Sequence, residues 1–595
     1  MEVTRIFDLL ENYKSYSSMD VALSGKENGQ WKSYNSQDYI EKSNLFSYGL
    51  LALGYKKGDK IATICNNRPE WNFIDMGVLQ IGVIHIPIYP TISNEDYQYI
   101  LKQSQPGIIL LSDHILYEKM KPVFEQIEKR SDIYTINITD KCSNWNDIIE
   151  LGKINQDKLK EELIKIKSSI KPDDVATIIY TSGTTGFPKG VMLSHNNIIS
   201  NFKETAIVHD VGYGDKALSF LPLCHIYERM MNYHYQFKGI SIYYAENMGT
   251  IADNLKEVQP EIFTTVPRIL EMFYDKIISK GRELPFLQRM IFFWSVSLGQ
   301  RFDIKRKYRL YYNLKLAIAR KIIFSKWVDS MGGKIKLVVS GGASLQLRMA
   351  KIFWAAQIHI IEGYGLTETS PVIAVNRPNS KEIQLGTVGQ VLNGVTVKIA
   401  DDGEILCKGH NVMLGYYNAS DLTQQVIDAE GWFHTGDVGI WVDNTYLKIT
   451  DRKKEIFKLS SGKYVAPQVI ENKLKESHFI GQVCVIGENQ KFASALISPN
   501  FTFMKKWSEN HKINYTSNKE LINHEVVVRR FQKAINDINK NLGQTEHIKR
   551  IRLVDEEWSP QTGELSPSLK LKRKVISEKY KTLIQDIYKA DDGSL

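Results

Sequence analysis

The strongest candidate for a functional site is one segment rich in hydroxyl groups and glycine, Tyr180 to Gly190. It reads Tyr-Thr-Ser-Gly-Thr-Thr-Gly-Phe-Pro-Lys-Gly. Glycines allow the backbone to approach an anion closely, and hydroxyl groups can donate to phosphate oxygens. Lys189 adds a positive charge suited to phosphate. The segment lacks the closing Gly-Lys-Ser/Thr of a Walker loop, so it predicts a phosphate-binding loop of another kind; a plain polar turn is the alternative. The candidate residues are Thr181, Ser182, Gly183, Thr184, Thr185, Gly186 and Lys189.

A second segment, Gly363 to Thr369, reads Gly-Tyr-Gly-Leu-Thr-Glu-Thr and combines an aromatic ring with a carboxylate. The glycines on either side of Tyr364 leave its ring face free to stack on a planar base. Thr367 offers a hydroxyl group, and Glu368 offers the hard oxygen ligand that Mg²⁺ prefers. Taken alone, the segment also fits a glycine-rich turn at the start of a helix.

Three weaker candidates accompany these segments. An apolar run ends in Gly341, Gly342 and Ala343, which either brings bare backbone beside a ligand or forms a structural hairpin. Asp437 closes the segment Gly-Trp-Phe-His-Thr-Gly-Asp, and a carboxylate there suits the paired hydroxyl groups of a ribose. His225 lies within Leu-Pro-Leu-Cys-His-Ile-Tyr-Glu-Arg, where a lone histidine is either structural or next to a substrate.

Together these segments resemble, in order along the chain, the motifs of the adenylate-forming superfamily, which includes acyl-CoA synthetases, luciferases and peptide-synthetase adenylation domains. The resemblance runs from about residue 38 to residue 574. It implies that Tyr364 packs on adenine, that Thr367 meets the α-phosphate, and that Glu368 holds Mg²⁺ together with Thr181. It also places His225 near the reacting carboxylate. The remaining implied nucleotide contacts are Gly341, Gly342, Ala343, Gly363, Gly365 and the ribose-binding pair Asp437 and Arg452.

Two further segments resemble family elements that serve different steps of the reaction. In Asp-Arg-Lys-Lys-Glu, from residue 451, the family's hinge position is Lys454. A hinge must absorb a large backbone change when a domain rotates. The loop that follows then carries Ser461 and Gly462, which by resemblance line the channel for coenzyme A.

The last segment, Leu-Ser-Pro-Ser-Leu-Lys-Leu-Lys-Arg from residue 565, resembles the region that carries the family's adenylation lysine. The spacing to Arg573 identifies that lysine as Lys570. Leu569 stands where most members have glycine, a form that resembles the long-chain synthetases. Lys572 is the alternative if the correspondence shifts by two residues.

Residues 430–454 resemble the signature of fatty acyl-CoA synthetases within this superfamily. The resemblance therefore implies an ATP-dependent ligase that converts a fatty acid of long chain to acyl-AMP and pyrophosphate. It then transfers the acyl group to coenzyme A. On this interpretation ATP and coenzyme A are co-substrates, and Mg²⁺ is the cofactor.

The closest alternative is a fatty acyl-AMP ligase, which passes the acyl group to a carrier protein. That family carries an insertion that hinders domain rotation, and the short spacing between Asp437 and Arg452 leaves no room for one there. A nucleotide-binding module without catalysis is a second alternative. It would lack Glu368 or Lys570, and both are present.

At 595 residues the chain is too long for one ordinary core, and its pattern is of α/β type. Short apolar runs alternate with amphipathic stretches, which predicts largely parallel sheets. We expect a large N-terminal domain of α/β subdomains, 1–450, with the ATP and acyl sites, and a small mobile α+β C-terminal domain, 451–595, as in the adenylate-forming enzyme fold. The predicted strands are Lys60–Cys65, Gly82–Pro87, Gly107–Leu111, Val175–Tyr180, Ile262–Val266 and Ile335–Ser340.

Composition excludes several other classes. The five cysteines are far apart and odd in number, so neither a disulfide framework nor a zinc knuckle fits them. No apolar run is long enough to span a bilayer, and the first residues lack the pattern of a secretion signal. We therefore expect a cytoplasmic protein.

The net charge of +9 is concentrated in residues 280–326, where twelve Lys and Arg face two acidic residues. Anionic substrates, an acidic membrane surface or nucleic acid would each explain this segment, but no nucleic-acid-binding motif accompanies it. Phe286, Met290 and Phe293 share a helical face within it, which is typical of a helix lying on an anionic membrane. We expect peripheral contact with the inner membrane face through this segment, or an ordinary basic surface over packed aromatic residues, and no binding of nucleic acid.

Overall fold

The computed structural model describes residues 2–16, 19–127, 131–181, 187–306, 308–540, 542–544, 546–566 and 569–589. Its strands are β1 (Leu23–Glu27), β2 (Gln30–Tyr34), β3 (Lys60–Ile64), β4 (Ile84–Ile88), β5 (Ile108–Leu111), β6 (Asp132–Thr135), β7 (Ser143–Asn144), β8 (Val175–Thr181), β9 (Lys189–Ser194), β10 (Lys216–Ser219), β11 (Ser241–Tyr244), β12 (Ile262–Thr265), β13 (Leu337–Ser340), β14 (Ile360–Gly365), β15 (Val372–Val375), β16 (Gln390–Val391), β17 (Val395–Ile399), β18 (Glu404–Gly409), β19 (Gly415–Tyr416), β20 (Phe433–Val442), β21 (Tyr446–Arg452), β22 (Phe457–Lys458), β23 (Tyr464–Val465), β24 (Ile480–Ile486), β25 (Ser494–Pro499) and β26 (Arg550–Leu553).

The α-helices alternate with these strands over most of the chain. They are α1 (Leu9–Tyr13), α2 (Ser36–Ala52), α3 (Pro69–Gln80), α4 (Asn94–Ser104), α5 (His114–Phe124), α6 (Trp145–Ser169), α7 (His195–Ala206), α8 (Ile226–Phe237), α9 (Ile251–Val258), α10 (Pro267–Glu283), α11 (Phe286–Gln300), α12 (Leu310–Ala319), α13 (Ser325–Ser330), α14 (Leu347–Ala355), α15 (Ser420–Gln424), α16 (Pro467–Leu474), α17 (Phe501–Asn510), α18 (Asn518–Asn523), α19 (Glu525–Asn539), α20 (Arg573–Lys579) and α21 (Lys581–Lys589). Short 3₁₀ turns span Ile6–Asp8 and Thr367–Thr369, and a π-helical turn spans Arg320–Phe324.

Two large sheets, parallel over most of their width, form the scaffold. The first has the order β16-β15-β14-β13-β12-β10-β11-β1-β2, and the second has the order β19-β9-β8-β4-β3-β5-β6-β7. Antiparallel pairs occur only towards the edges, at β14–β15–β16, β1–β2 and β8–β9–β19. All six strands predicted from the sequence are present, with ends that differ by no more than two residues. The predicted α/β class with largely parallel sheets is confirmed.

Two smaller units follow along the chain. An antiparallel sheet of order β17-β18-β20-β21 ends at Arg452, and the hairpin β22–β23 then precedes a sheet of order β24-β25-β26. The second of these units has its own apolar core, to which α16, α17, α18 and α19 contribute. The division at residue 451 stays a prediction, although the turn after β21 is a natural place for it. In the part of the chain that the structure describes, no helix is long and apolar enough to cross a membrane.

Helix α8 lies between the two large sheets and is held to both by buried polar contacts. On one side, Glu228 accepts hydrogen bonds from Ser219 of β10, at 2.6 Å, and from Thr264 of β12. On the other side, Arg229 donates to Thr177 of β8 at 2.7 Å. Burial raises the pKa of Glu228 to about 7, so this carboxyl group can be neutral in the core.

The same helix carries one half of a fully buried ion pair. Arg229 lies 2.5 Å from Asp75 of α3, and Tyr233 and His85 also contact this carboxylate, at 2.5 Å and 2.6 Å. Burial alone would raise the pKa of Asp75, but the charge of Arg229 and the contact with His85 hold it below its usual value. The pair is therefore ionised and joins α3, β4 and α8.

Substituting Arg229→Met should lower the free energy of unfolding by roughly 3–5 kcal/mol, because it leaves Asp75 charged and buried without its partner. The midpoint of urea denaturation, followed by tryptophan fluorescence, measures this change. The double variant Asp75→Asn with Arg229→Met removes both charges and should recover part of the loss. A single variant as stable as the native protein would show that the pair carries no such constraint.

Candidate active site

The hydroxyl-rich segment joins the paired ends of β8 and β9. Thr181 ends β8 and pairs with Lys189, which begins β9. The predicted contacts Ser182, Gly183, Thr184, Thr185 and Gly186 lie outside the described residues. The Lys189 ammonium group lies 4.9 Å from the centroid of the Tyr416 ring. Burial, followed by the charge of Lys454, lowers the pKa of Lys189, while Glu368 acts in the opposite direction.

Tyr364, Asp437 and Arg452 meet where β14 approaches the antiparallel sheet. The Tyr364 hydroxyl donates to Asp437 Oδ2 at 2.8 Å, and Arg452 Nε lies 3.4 Å from Asp437 Oδ1. Pairing of β20 with β21 places Asp437 directly opposite Arg452. Burial raises the pKa of Asp437, and the charge of Arg452 opposes that rise. The structure thus brings together the three residues predicted to bind the nucleoside.

The glycines on either side of Tyr364 belong to a strand. β14 continues to Gly365 and pairs with β15, so these glycines are not part of a turn. At Gly365 a Cβ atom would lie 1.7 Å from the carbonyl oxygen of Pro371, so no side chain fits there. Gly363 has more room, since the nearest atom to its Cβ position is 3.7 Å away.

Glu368 presents a carboxylate of the kind predicted to hold Mg²⁺. The Tyr416 hydroxyl donates to Glu368 Oε1 at 2.8 Å, and Thr367 is buried in the same 3₁₀ turn. Within the described ranges, no group of three His, Cys, Asp or Glu side chains forms a metal cluster. A lone carboxylate nevertheless fits Mg²⁺, because this ion takes most of its ligands from phosphates and water. Thr181 lies at the end of β8 as a predicted second ligand.

The Gly-Gly-Ala segment begins a crossover rather than a hairpin. β13 pairs in parallel with β14, so the alternative of a structural hairpin is wrong. Gly342 has φ of +80° and is exposed together with Ala343. A Cβ atom at Gly341 would lie 3.0 Å from the ring of Tyr227, whose hydroxyl donates to Val339 at 3.0 Å. The bare backbone of this turn therefore lies against an aromatic ring.

His225 caps the start of α8. Its Nδ1 accepts a hydrogen bond from the backbone N–H of Tyr227 at 3.1 Å. Burial, followed by the charge of Lys570, lowers the pKa of His225 to about 4. The neutral ring therefore carries its proton on Nε2 and can donate a hydrogen bond, which argues against a role as general base.

Lys570 faces the same site from the C-terminal part of the chain. Burial, followed by the charge of Arg452, lowers the pKa of the Lys570 ammonium group to about 8, while Asp437 and Glu368 act in the opposite direction. Lys572, the alternative lysine, is exposed and caps α20 with its backbone. The structure brings Lys570, and not Lys572, to the other predicted site residues.

The turn that carries Lys570 is fixed by Arg573, three residues later. Arg573 forms two hydrogen bonds of 2.8 Å with Glu471 of α16 and one of 2.8 Å with Glu455. Leu569 has φ of +61°, a conformation that costs a residue with a side chain roughly 1–2 kcal/mol. Its side chain packs against the apolar cluster around Trp558, which offsets that cost.

The predicted hinge residue lies at the margin of this cluster, where its charge acts on Lys189, and the predicted coenzyme A channel lies outside it. Lys454 is exposed in the turn between β21 and β22. Ser461 and Gly462 are exposed in the turn of the hairpin β22–β23, and Gly462 has φ of +84°. The structure therefore brings Lys570 to the site and leaves this loop at the surface.

Contacts between α10 and the C-terminal part hold that arrangement. His478 stacks between Tyr274 and Phe503, with ring centroids 6.2 Å and 5.8 Å away, and its Nδ1 lies 3.3 Å from Asp275. Gln346 also donates to the carbonyl oxygen of Lys475 at 3.4 Å. These side chains were not predicted, because they join segments that are distant in sequence.

Two tyrosines of the site were also missed. Tyr227 lies two residues after His225, inside a segment already under consideration, so its position was a usable signal. Tyr416 gives no such signal. It reaches Glu368 and Lys189 because β19 pairs with β9.

A family model for AMP-binding enzymes matches residues 12–417, and a model for the C-terminal domain of AMP-binding enzymes matches residues 454–592. The chain belongs to this family of AMP-binding enzymes, and the resemblance to the adenylate-forming superfamily is confirmed. Among its relatives, long-chain-fatty-acid–CoA ligase 1 of Homo sapiens is 30% identical, over 94% of this chain and 82% of the relative. The long-chain-fatty-acid–CoA ligase FadD15 of Mycobacterium bovis is 29% identical, over 94% of this chain and 93% of the relative.

A solved structure agrees with this fold. The adenylation domain of a carboxylate reductase from Mycobacterium chelonae superposes with a TM-score of 0.74 at 20% identity, covering 99% of this chain and 91% of that chain. The predicted fold of adenylate-forming enzymes is confirmed by this likeness.

Affinity for ATP should weaken as the pH rises through about 8, because Lys570 loses its charge there and is fully charged below. Titration calorimetry across this pH range measures the change. The variant Lys570→Arg keeps its charge, since arginine does not deprotonate in proteins, and should show a flatter profile. The exposed neighbour offers the control Lys572→Arg, which should keep the native profile. Identical profiles for the native protein and Lys570→Arg would assign the pH dependence to another group.

Proposed function

We propose that this chain is an ATP-dependent long-chain-fatty-acid–CoA ligase. It activates a fatty acid to acyl-AMP with release of pyrophosphate, then transfers the acyl group to coenzyme A with release of AMP. Relatives named for this activity match 94% of the chain, which supports this substrate class over others in the family.

The observation that carries the proposal is the approach of Lys570 to Asp437, Arg452 and Glu368. Lys570 comes from the small C-terminal unit, Asp437 and Arg452 from the antiparallel sheet, and Glu368 from the turn after β14 of the large scaffold. Their charges act on the pKa of Lys570, so a cation, a nucleoside-binding carboxylate and a metal-binding carboxylate share one site. Activation of a carboxylate by ATP needs these three groups in one place.

In the first step the fatty carboxylate attacks the α-phosphorus, and the bond to pyrophosphate breaks. The protein supplies no nucleophile, because the substrate is one. Asp437 and Arg452 hold the ribose, Thr367 meets the α-phosphate, and the hydroxyl-rich segment with Lys189 meets the other phosphates. Lys570 stabilises the negative charge that develops as pyrophosphate leaves. Glu368 and Thr181 would hold Mg²⁺, which supplies charge neutralisation to the phosphates when bound.

His225 fits the role of a hydrogen-bond donor to the reacting carboxylate. Its Nδ1 already accepts a hydrogen bond from the backbone N–H of Tyr227, so Nε2 bears the proton and is left as a donor. A donor orients the carboxylate without removing a proton, and the carboxylate needs no base because it is already ionised.

In the second step the thiol of coenzyme A attacks the acyl carbonyl, and AMP leaves. The thiol must reach the site from which Lys570 has withdrawn, so the C-terminal unit turns about Lys454. The exposed turn with Ser461 and Gly462 then faces the large scaffold and lines the channel for the pantetheine arm. No described residue is placed as a base for the thiol, and orientation of the activated acyl group supplies the rate.

A fatty acyl-AMP ligase remains the alternative function, and one local feature favours the coenzyme A ligase. Between Asp437 and Arg452 the chain is a plain hairpin, β20–β21, with a tight turn at Asp443 and Asn444. No insertion is present there to obstruct rotation. Release of AMP that depends on coenzyme A, measured across acids of increasing chain length, separates the two functions and gives the chain-length preference.

The proposal extends to location. We propose that the protein acts in the cytoplasm, in peripheral contact with an anionic membrane through residues 280–326. Twelve Lys and Arg against two acidic residues in this segment support an anionic partner. Docking there shortens the route of a long-chain acid, which partitions into membranes.

Lys570→Ala should slow formation of acyl-AMP by about 100-fold or more, because the charge that stabilises departing pyrophosphate is lost. It should largely spare thioester formation from supplied acyl-AMP. Pyrophosphate exchange measures the first step, and thioester formation measures the second. The neighbouring variant Lys572→Ala should leave both steps near the native rate. A normal first step in Lys570→Ala would move the assignment to another lysine.

Gly462→Leu should show the opposite split, with the thioester step slowed by roughly tenfold or more and pyrophosphate exchange intact. A side chain there obstructs the pantetheine arm after rotation. The control for backbone strain is Gly54→Leu, because Gly54 is also exposed, has φ of +86° and has open space around it. Equal loss of both steps in Gly462→Leu would show damage to the fold and not to the channel.

A further inference from the structure

Two consecutive helices in the basic segment each expose several large apolar side chains. Helix α11 exposes Phe286, Leu287, Met290, Ile291 and Trp294, with Leu287 72% exposed. Helix α12 and the π-helical turn after it expose Leu310, Tyr311, Leu314, Ile318 and Ile322, with Leu310 87% exposed. We call these two sets the apolar stripes. The second stripe was not predicted from the sequence.

Each stripe lies on one side of its helix. At 3.6 residues per turn, the five residues of the α11 stripe fall within an arc of about 140°, and those of the α12 stripe within about 120°. Surfaces of this kind on a monomer mark an interaction site, because single scattered apolar residues do not align.

The opposite sides of both helices are already packed in the large scaffold. Phe292 and Val296 of α11 and Leu316 of α12 are buried in one apolar cluster. The Tyr312 hydroxyl donates to the carbonyl oxygen of Leu298 at 3.0 Å, which holds α12 against the end of α11. The stripes are therefore not needed for the core and face outward on a fixed support.

The helical face predicted from the sequence is corrected by this packing. Phe286 and Met290 are exposed as expected, but Phe293 is half-buried and packs against the core cluster. The error has a simple cause: spacings of three and four residues identify a face, but not which of two neighbouring faces turns inward.

Basic side chains flank the stripes without acidic partners. Arg289, Arg309, Lys321 and Lys326 are exposed, and none of them forms an ion pair with a described residue. Lys305 differs, since its ammonium group lies 4.6 Å from the ring centroid of Tyr446 in β21. Lys307 lies outside the described residues. The uncompensated charge thus lies beside the apolar side chains.

We propose that the apolar stripes of α11 and α12 insert into the surface of an anionic bilayer, with the flanking Arg and Lys side chains on lipid phosphates. Apolar side chains bordered by unpaired cations are the pattern of a helix lying in the interface. A second copy of this chain fits less well, because it would bring like charges together. The inference names the contact surface for the proposed function and rests on that function for its purpose, the supply of a membrane-dissolved acid.

The apolar contribution is tested by Leu310→Ser with Leu314→Ser, which removes two exposed side chains that are 87% and 59% exposed. The matched control is Ile154→Ser with Ile164→Ser on α6, where the exposures are 77% and 61%. Sedimentation with vesicles of phosphatidylglycerol and phosphatidylcholine in equal parts measures binding. The α12 variant should bind at least about tenfold more weakly than the native protein. The α6 control should bind like the native protein.

The charge contribution is tested by Arg309→Glu with Lys321→Glu at low salt. Each basic residue near the surface contributes about fivefold in affinity, so this variant should bind at least about 25-fold more weakly. Lys158→Glu with Lys160→Glu on α6 makes the same change of charge away from the stripes and should be weakened less. Vesicles of phosphatidylcholine alone should bind the native protein poorly.

Several results would overturn the proposal. The first is failure of the native protein to sediment with anionic vesicles at low salt. The second is an α12 variant that binds vesicles like the native protein. The third is self-association of the native protein that the α12 variant abolishes without any change in vesicle binding. The last result would assign the stripes to an interface between copies. Turnover of a long-chain acid dispersed in detergent should be unchanged in every variant. Absence of that turnover in the native protein would instead refute the proposed function and leave the binding result standing.

Discussion

The buried ion pair between Arg229 and Asp75 is the constraint on which the geometry of the large scaffold depends. An ionised pair in a protein core is tolerated only when its partners are held in good geometry, so it fixes the helices that carry it. The pair joins α8 to α3, while contacts with Thr177 of β8 and Ser219 of β10 hold the helix between the two sheets. The end of β8 is Thr181, where the hydroxyl-rich segment begins, and the start of α8 is His225. The buried contacts of Arg229 with Asp75 and with Thr177 therefore help to set the distance between the predicted phosphate-binding segment and the predicted neighbour of the fatty carboxylate.

A second constraint acts within the C-terminal unit. Arg573 joins Glu471 of α16 to Glu455 beside the predicted hinge. Lys570 lies three residues earlier, on a turn whose Leu569 is held in a left-handed conformation by apolar packing. The lysine is thus carried by a rigid unit, and its position relative to the large scaffold is a property of the whole unit. In the proposed reaction, a movement about Lys454 removes it without rearranging its own support.

Local pattern in the sequence was sufficient for the six predicted strands of the scaffold. It was insufficient wherever a contact depends on which strands pair. Tyr416 reaches Glu368 only because β19 adds to β9, and no spacing near either residue signals that pairing. The hairpin alternative at Gly342 failed for the same reason, since the parallel pairing of β13 with β14 is set by distant segments. Helix periodicity had a related limit at Phe293, because it defines a face but not its direction.

The site holds several positively charged side chains close together in the absence of a bound anion, and this determines its electrostatics. Arg452 lowers the pKa of Lys570, and Lys454 lowers that of Lys189, so these groups repel one another in the free protein. A polyanion such as ATP relieves that repulsion and favours the arrangement in which Lys570 faces the site. Departure of pyrophosphate removes most of the compensating charge and restores the repulsion. In the proposed reaction, the first step therefore weakens the contact that held the C-terminal unit in place, and the same chemistry that makes acyl-AMP also favours the rotation that admits coenzyme A.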